Sequence, residues 1–176
     1  MRFILIFCSF LFFGTKSVSR DSVTVYLFLL DECRICQELA PEINAIHQEY
    51  APQKVGFIGL FPNFASKPAG IEKFKKKYKL IMQTKTDYYK KWSHKFNAEI
   101  LPTVVVYNET QQQVEYMGAI NDLFYKPGKR RYQASHHYLR DALKSLIAGQ
   151  SPEIKSTQAV GCFINFNDNL SNLSSK

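Results

Sequence analysis

Apolar positions recur along the chain with two periods. The run Val23-Thr24-Val25-Tyr26-Leu27-Phe28-Leu29-Leu30 is β-branched, aromatic and nearly continuous in apolar character. That is the pattern of a central strand buried on both faces, and Asp31 and Glu32 end it. From Arg34 onward, Ile35, Leu39, Ile43, Ile46 and Tyr50 recur at helical spacing, which predicts a helix of about four turns. Pro41 lies inside it and predicts a kink, because its ring clashes with the preceding turn and its nitrogen carries no proton. Residues 54–61, Lys-Val-Gly-Phe-Ile-Gly-Leu-Phe, predict a second buried strand, broken by Pro62-Asn63. Strand, helix, strand at this length is a βαβ unit, so the two strands are expected to run parallel.

Farther along, residues 71–78 predict an amphipathic helix with Lys73, Lys75, Lys76 and Lys77 mostly on a solvated face. Residues 87–96 predict a short helix with Tyr88, Tyr89, Trp92 and Phe96 on or near one packed face. Residues 100–107 read as a strand with Pro102 near its start, and residues 112–117 alternate like a half-exposed antiparallel strand that Gly118 ends. Residues 119–134 form a long connection rich in Tyr, Lys and Arg, and loops of this length are uncommon without a function or mobility. Ser135 is the candidate cap of a last helix whose apolar face is Tyr138, Leu139, Ala142, Leu143, Leu146 and Ile147, and Gly149 stops it. Residues 151–176 include Val160-Gly161-Cys162-Phe163-Ile164 and a Ser/Asn-rich end expected to be partly disordered.

The start of the chain departs from both periods. Arg2 precedes an apolar run from Phe3 to Phe13, followed by Gly14-Thr15-Lys16-Ser17-Val18-Ser19. A positive start, a short apolar centre and a small-residue end read as a secretory signal peptide, too short to span a bilayer comfortably. The expected organisation is therefore a signal peptide over residues 1–19, a folded domain over 20–150 and a C-terminal extension over 151–176. Export to a periplasmic or extracellular space follows, with no stable membrane insertion after cleavage. Cys8 leaves with the leader, and Cys33, Cys36 and Cys162 remain in an oxidising compartment.

Composition adds bounds. Of 176 residues, 45% are hydrophobic and 22% charged, so the chain is globular, and 14 Phe and 10 Tyr supply core volume without disulfide staples. The formal charge of +8 falls by two when Arg2 and Lys16 leave with residues 1–19. This excess favours acidic partners or surfaces weakly, and no nucleic-acid motif accompanies it. No glycine-rich phosphate loop is present, and no cofactor is expected.

The chemistry concentrates at Cys33-Arg34-Ile35-Cys36. A C-x-x-C pair that opens a helix directly after a buried strand in a βαβ pattern is a redox motif. The N–H groups and dipole at a helix start favour negative charge, so Cys33 is expected to ionise below a free thiol, at a pKa of about 6–7.5. Arg34 adds to that, and Asp31 and Glu32 oppose it. Cys36, one turn on, is placed to attack a mixed disulfide formed on Cys33 and release the product. Pro102 is expected to be cis and to face the cysteine pair, leaving the Leu101 backbone free to pair with an extended partner and shielding the sulfurs from metals.

These residues together resemble the thioredoxin superfamily: strand, C-x-x-C, helix, strand, a helical stretch, then Leu101-Pro102-Thr103, two strands and a closing helix. More narrowly, Asp31 to Cys36, Gly59-Leu60-Phe61-Pro62, residues 137–143 and residues 160–164 resemble exported bacterial redoxins of the alkyl hydroperoxide reductase/thiol-specific antioxidant group. The resemblance spans residues 22–165. It implies an α/β thioredoxin-like fold, a mixed central sheet flanked by helices, with a C-terminal tail. The implied activity is thiol–disulfide exchange with protein disulfides or thiols and with a redox partner protein, Cys33 and Cys36 being catalytic and Leu101 and Pro102 positioning the substrate. The chain departs from the pattern at Glu32, where thioredoxins commonly carry tryptophan, and at Leu101, where threonine is usual. The peroxidase pattern P-x-x-x-T-x-x-C is absent.

Three rival readings stand beside this one. Cys33 and Cys36 are a structural disulfide in the plainest. In the second, the same cysteines bind copper, with Cys162, His94, His136, His137 or Met117 completing the site, since thiolates suit Cu(I). In the third, the basic loop 126–131 docks an acidic partner without catalysis. Cys162 itself reads as a buried small hydrophobe, a third redox thiol or a metal ligand. It reaches Cys33 only if the tail folds back over the helix start.

Overall fold

The computed structural model describes residues 22–167. The leader assigned to residues 1–19, with Cys8, lies outside the described residues, as does the end of the chain from residue 168.

Strand β1 (Val23–Phe28) takes up the first apolar run, and Leu29 continues it by donating its N–H to Leu60 O at 2.8 Å. Helix α1 (Arg34–Tyr50) buries Cys36, Leu39, Ala40, Ile43, Ile46 and Tyr50 along the predicted face, with Pro41 inside it. Strand β2 (Gly56–Phe61) lies parallel to β1, with Val25 opposite Phe57 and Leu27 opposite Gly59. Helix α2 (Pro68–Tyr78) begins three residues earlier than its lysine pattern suggests, because Pro68 fits the first turn, where no N–H is needed.

Strand β3 (Gln83–Thr86) runs parallel to β2 along the sheet edge. Its residues are polar and largely exposed, so no apolar alternation announces it. Helix α3 (Lys91–Phe96) is shorter than the expected 87–96. Asp87 stops short of the helix and caps it instead, its carboxylate accepting from Trp92 N at 3.1 Å, Ser93 N at 2.9 Å and Ser93 Oγ at 2.8 Å. Tyr89 leaves the packed face assigned to it and is 80% exposed.

Pro102, which has no N–H to donate, divides the expected strand 100–107 into β4 (Ile100–Leu101) and β5 (Thr103–Asn108). Strand β6 (Gln113–Gly118) completes a five-stranded sheet of order β3-β2-β1-β5-β6, in which β5 is antiparallel to both β1 and β6. The connection over 119–134 contains a small hairpin, β7 (Phe124–Lys126) and β8 (Lys129–Arg130), turned at Pro127-Gly128 with Gly128 at φ +70°. Helix α4 (Tyr138–Ile147) is not capped by Ser135. The N–H groups of Ser135 and His136 instead donate to Asp122 Oδ1, at 2.7 and 2.9 Å. Beyond α4, Gly149 takes φ +75°, the left-handed conformation that ends helices.

Side chains alternate across β1, and the two faces pack against different layers. On the Val25 face, His47 of α1 meets Phe57 edge-on and Phe74 of α2 meets Phe61, while Arg140 of α4 pairs with Glu42 of α1 at 2.8 Å and also with Glu49. On the other face, Trp92 and Phe96 of α3 pack on Tyr26, with Tyr107 completing the cluster. No helix among the described residues is long and apolar enough to cross a membrane.

The segment after α4 returns along the domain. Met117 N donates to Lys155 O and Thr157 N to Met117 O, both at 3.0 Å, and Thr157 Oγ1 meets Tyr116 Oη at 2.6 Å. Strand β9 (Cys162–Phe163) then pairs antiparallel with β4.

Candidate functional site

Chain reversal after β1 brings Cys33 to the start of α1. Leu30 O accepts from Cys33 N at 3.0 Å, closing a turn, and Cys33 O accepts from Gln37 N at 3.0 Å, opening the helix. Cys33 is therefore the residue that flanks the first turn, with φ −74° and ψ 117°. In that position a side chain lies in front of the unpaired N–H groups of the first turn.

The two thiols of the motif differ sharply. The Cys33 thiol is lowered to about 5, chiefly by a hydrogen bond from Cys36, against the opposing effect of burial. Further hydrogen bonds come from Cys162 and from the N–H groups of Cys36 and Ile35. Cys36 is fully buried, and burial together with the facing Cys33 thiolate pushes its thiol well up. The depression at Cys33 exceeds the 6–7.5 range expected from the helix start alone, because two neighbouring thiols donate to it. Arg34 is not among the groups that chiefly lower it: its guanidinium is exposed and bonds Glu38 Oε1 at 2.8 Å.

The Leu101–Pro102 peptide is cis. Leu101 is fully buried, and its carbonyl oxygen stands 3.6 Å from Cys33 Sγ. Cys162 Sγ lies 2.6 Å from Cys33 Sγ, and the Cys162 backbone pairs with Leu101. The fold thus brings Cys33, Cys36, Leu101, Pro102 and Cys162 to one place. Cys162 is up at about 12, raised by burial and by the facing Cys33 thiolate.

Other residues singled out by sequence stand elsewhere. His136 stacks on Tyr138, His94 packs at a tilt against Phe166, and His137 Nδ1 faces Glu42 at 3.8 Å. Met117 is a β6 residue paired with Val105. Among the described residues, no group of three or more His, Cys, Asp or Glu is arranged to hold a metal ion. In the basic loop, Arg130 pairs with Glu38 at 2.8 Å and Arg131 with Asp122 at 3.0 Å. A cavity lined by Val55, Glu115, Leu146 and Gln150 lies at the opposite end of the sheet.

Sequence reasoning missed Asn63, noted there only as a strand breaker. It is buried, donates Nδ2 to Phe163 O at 3.0 Å and accepts from Asn165 N at 2.8 Å, so it clamps the returning segment. Its loop is held by the buried Lys90, whose ammonium donates to Pro62 O at 2.6 Å. A single polar residue after a strand carries no periodic signal that would single it out.

No protein-family model matches the chain, and no curated protein matches it. Solved structures do. An uncharacterised conserved protein of Geobacillus kaustophilus aligns with a TM-score of 0.73 at 19% identity, covering 85% of this chain and 79% of that one. A hypothetical protein of Sinorhizobium meliloti 1021 aligns at 0.75 and 16% identity, covering 85% and 82%. A thioredoxin-like protein solved in its oxidised form aligns at 0.55 and 13% identity, covering 74% and 81%.

Proposed function

We propose that this thioredoxin-like domain is a thiol–disulfide oxidoreductase that exchanges disulfides with partner proteins through Cys33 and Cys36, in an exported compartment. The observation that carries the reading is the opposed ionisation of the pair: Cys33 down to about 5, Cys36 well up. The thiolate is the attacking form, so near neutral pH one sulfur is a ready nucleophile while its neighbour holds a proton for the second step.

In the reducing direction, Cys33 thiolate attacks one sulfur of a client disulfide. A Cys33–client bond forms, the client S–S bond breaks, and the electron pair leaves on the second client sulfur, which takes up a proton. Cys36 then loses its proton and attacks Cys33 Sγ. The Cys33–Cys36 disulfide forms and the client leaves as a dithiol, reduced by the two electrons the pair has given up. The oxidising direction is the reverse. Leu101 and Pro102 flank Cys33 where the client backbone would lie.

The resemblance to exported redoxins of the thiol-specific antioxidant group supports disulfide exchange as the activity. The absent P-x-x-x-T-x-x-C pattern argues against efficient peroxide reduction. The apolar leader over residues 3–13 supports export.

The test is turnover of insulin disulfides with dithiothreitol as electron donor. Cys33→Ala is expected to abolish catalysis, and Cys36→Ser combined with Cys162→Ser, which removes both neighbouring thiols, to stop at the mixed disulfide, trapped and visible by mass spectrometry. Wild-type turnover by the Cys33→Ala protein rejects the reading.

A further inference from the structure

A nucleophile that must meet a protein client is expected to be accessible, yet Cys33 is only 2% exposed. The returning C-terminal segment lies across it. Leu101 pairs with Cys162 and Ile100 with Phe163, and Ile164 N donates to Glu99 O at 2.8 Å. The backbone edge beside Cys33 is therefore occupied in extended, antiparallel fashion, with a cysteine opposite Leu101.

Glycine is required at the preceding position. A Cβ on Gly161 would stand 1.8 Å from Leu101 O, and a backbone carbonyl cannot move aside as a flexible side-chain end can. The segment is held from two directions, by Asn63 near β9 and by Thr157 against Tyr116 and Met117. At the redox pair itself the strap is held by two paired residues and by the buried Ile164, while Phe163 is 75% exposed and Cys162 half-buried.

We propose that residues 161–164 are an internal client: they occupy the groove an extended partner peptide would use, and Cys162 forms a reversible disulfide with Cys33 that withholds the pair until an outside client displaces the strap. This rests on the thiol–disulfide function argued above. The register also defines the outside client. It is an extended segment with its cysteine opposite Leu101, glycine before that cysteine, and a main-chain carbonyl after it to accept from Asn63 Nδ2.

The interchange balances without an outside oxidant. Starting from the Cys33–Cys36 disulfide, Cys162 gives up its proton and attacks Cys33 Sγ. The Cys33–Cys162 bond forms, the Cys33–Cys36 bond breaks, and the electron pair leaves on Cys36, which takes up the proton. Part of what raises Cys162 is the facing Cys33 thiolate, and that charge is absent once Cys33 is in a disulfide. The sulfurs are 2.6 Å apart in the same groove, so no backbone rearrangement is needed.

Two experiments decide the matter. Full-length Cys36→Ser protein is incubated with oxidised glutathione, alkylated and digested. A peptide linking Cys33 to Cys162 is the expected main product, whereas a glutathione adduct on Cys33 with Cys162 alkylated overturns the proposal. The second measures exchange with a Gly-Cys-Phe peptide carried as its glutathione mixed disulfide. A tethered competitor acts at an effective concentration on the order of mM, so removing it speeds a client supplied at a tenth of that by about tenfold. Gly161→Val, which expels the strap, and Thr157→Val, which loosens it at its distant anchor on Tyr116 without touching the groove, are both expected to raise the rate. Unchanged or lower rates in both overturn the inference. Failure of the underlying function looks different: wild type, Gly161→Val and Cys33→Ala would all exchange at the uncatalysed rate.

Discussion

Cys33 and Cys36 are the same side chain in two surroundings. One faces donated hydrogen bonds at the mouth of a helix, and the other is sealed beneath it. The thiolate is the form that alkylates, which fixes the sign of the pH dependence. As pH falls through about 5, Cys33 is protonated and its reaction with iodoacetamide slows. Above that value the Cys33 rate is expected to level off, while Cys36 stays unreactive. A Cys33 midpoint at the ordinary thiol value, near 8.5, would contradict the hydrogen-bond account. Cys162→Ala removes a thiol that donates to Cys33, so the midpoint is expected to rise, and an unchanged midpoint would show that this contact carries none of the shift.

At the scale of elements, α3 depends on a residue outside it. Asp87 supplies acceptors to two N–H groups of a short helix and to the Ser93 hydroxyl, all in a buried setting. Asp87→Ala removes the cap and is expected to cost about 1–2 kcal/mol, read as a lower midpoint in urea at unchanged slope. The loss should be felt at Tyr26 and Tyr107, on which α3 packs. Much of this level was legible in the residues. The buried strands, the face of α1 and the helix start at Cys33 follow from apolar spacing, and the cis bond at Pro102 from its place in the fold. Where side chains are polar and pairing is at an edge, as at Gln83–Thr86, periodicity has nothing to report. Pro127-Gly128 held a turn signal for the β7–β8 hairpin, but two short exposed strands gave it no apolar frame. Ser135 had the chemistry of a cap, and Asp122, distant in sequence, took the N–H instead. The position of Cys162 was legible only as an alternative, because its arrival at Cys33 is set by long-range anchors at Asn63 and Thr157.

For the molecule as a whole, ionisation at one sulfur biases the balance between oxidised and reduced chains. The Cys33 thiol lies well below the ordinary thiol value, at about 5, in the folded protein. Its stabilising contribution to the reduced state is absent below about 5, grows through the interval, and is complete above the ordinary thiol value. At neutral pH the reduced chain is therefore favoured relative to a protein whose thiol is less acidic. The Cys33–Cys36 couple is expected to be more oxidising than thioredoxin, whose potential is about −270 mV with a thiol pKa of about 7. Equilibration with glutathione measures this, and a value at or below that of thioredoxin would show that another contribution outweighs thiolate stabilisation.

The clamp at Asn63 has a practical corollary. It fixes Asn165 three residues beyond Cys162, so whatever is joined downstream departs from the immediate neighbourhood of the sulfurs. A fluorophore attached there would sense docking and undocking as a change in quenching, making the tail a reporter of redox state in living cells. A bulky affinity tag in the same place is expected to disturb the very activity under assay, and a tag joined directly before residue 20, in place of the leader, is the safer choice for enzymology.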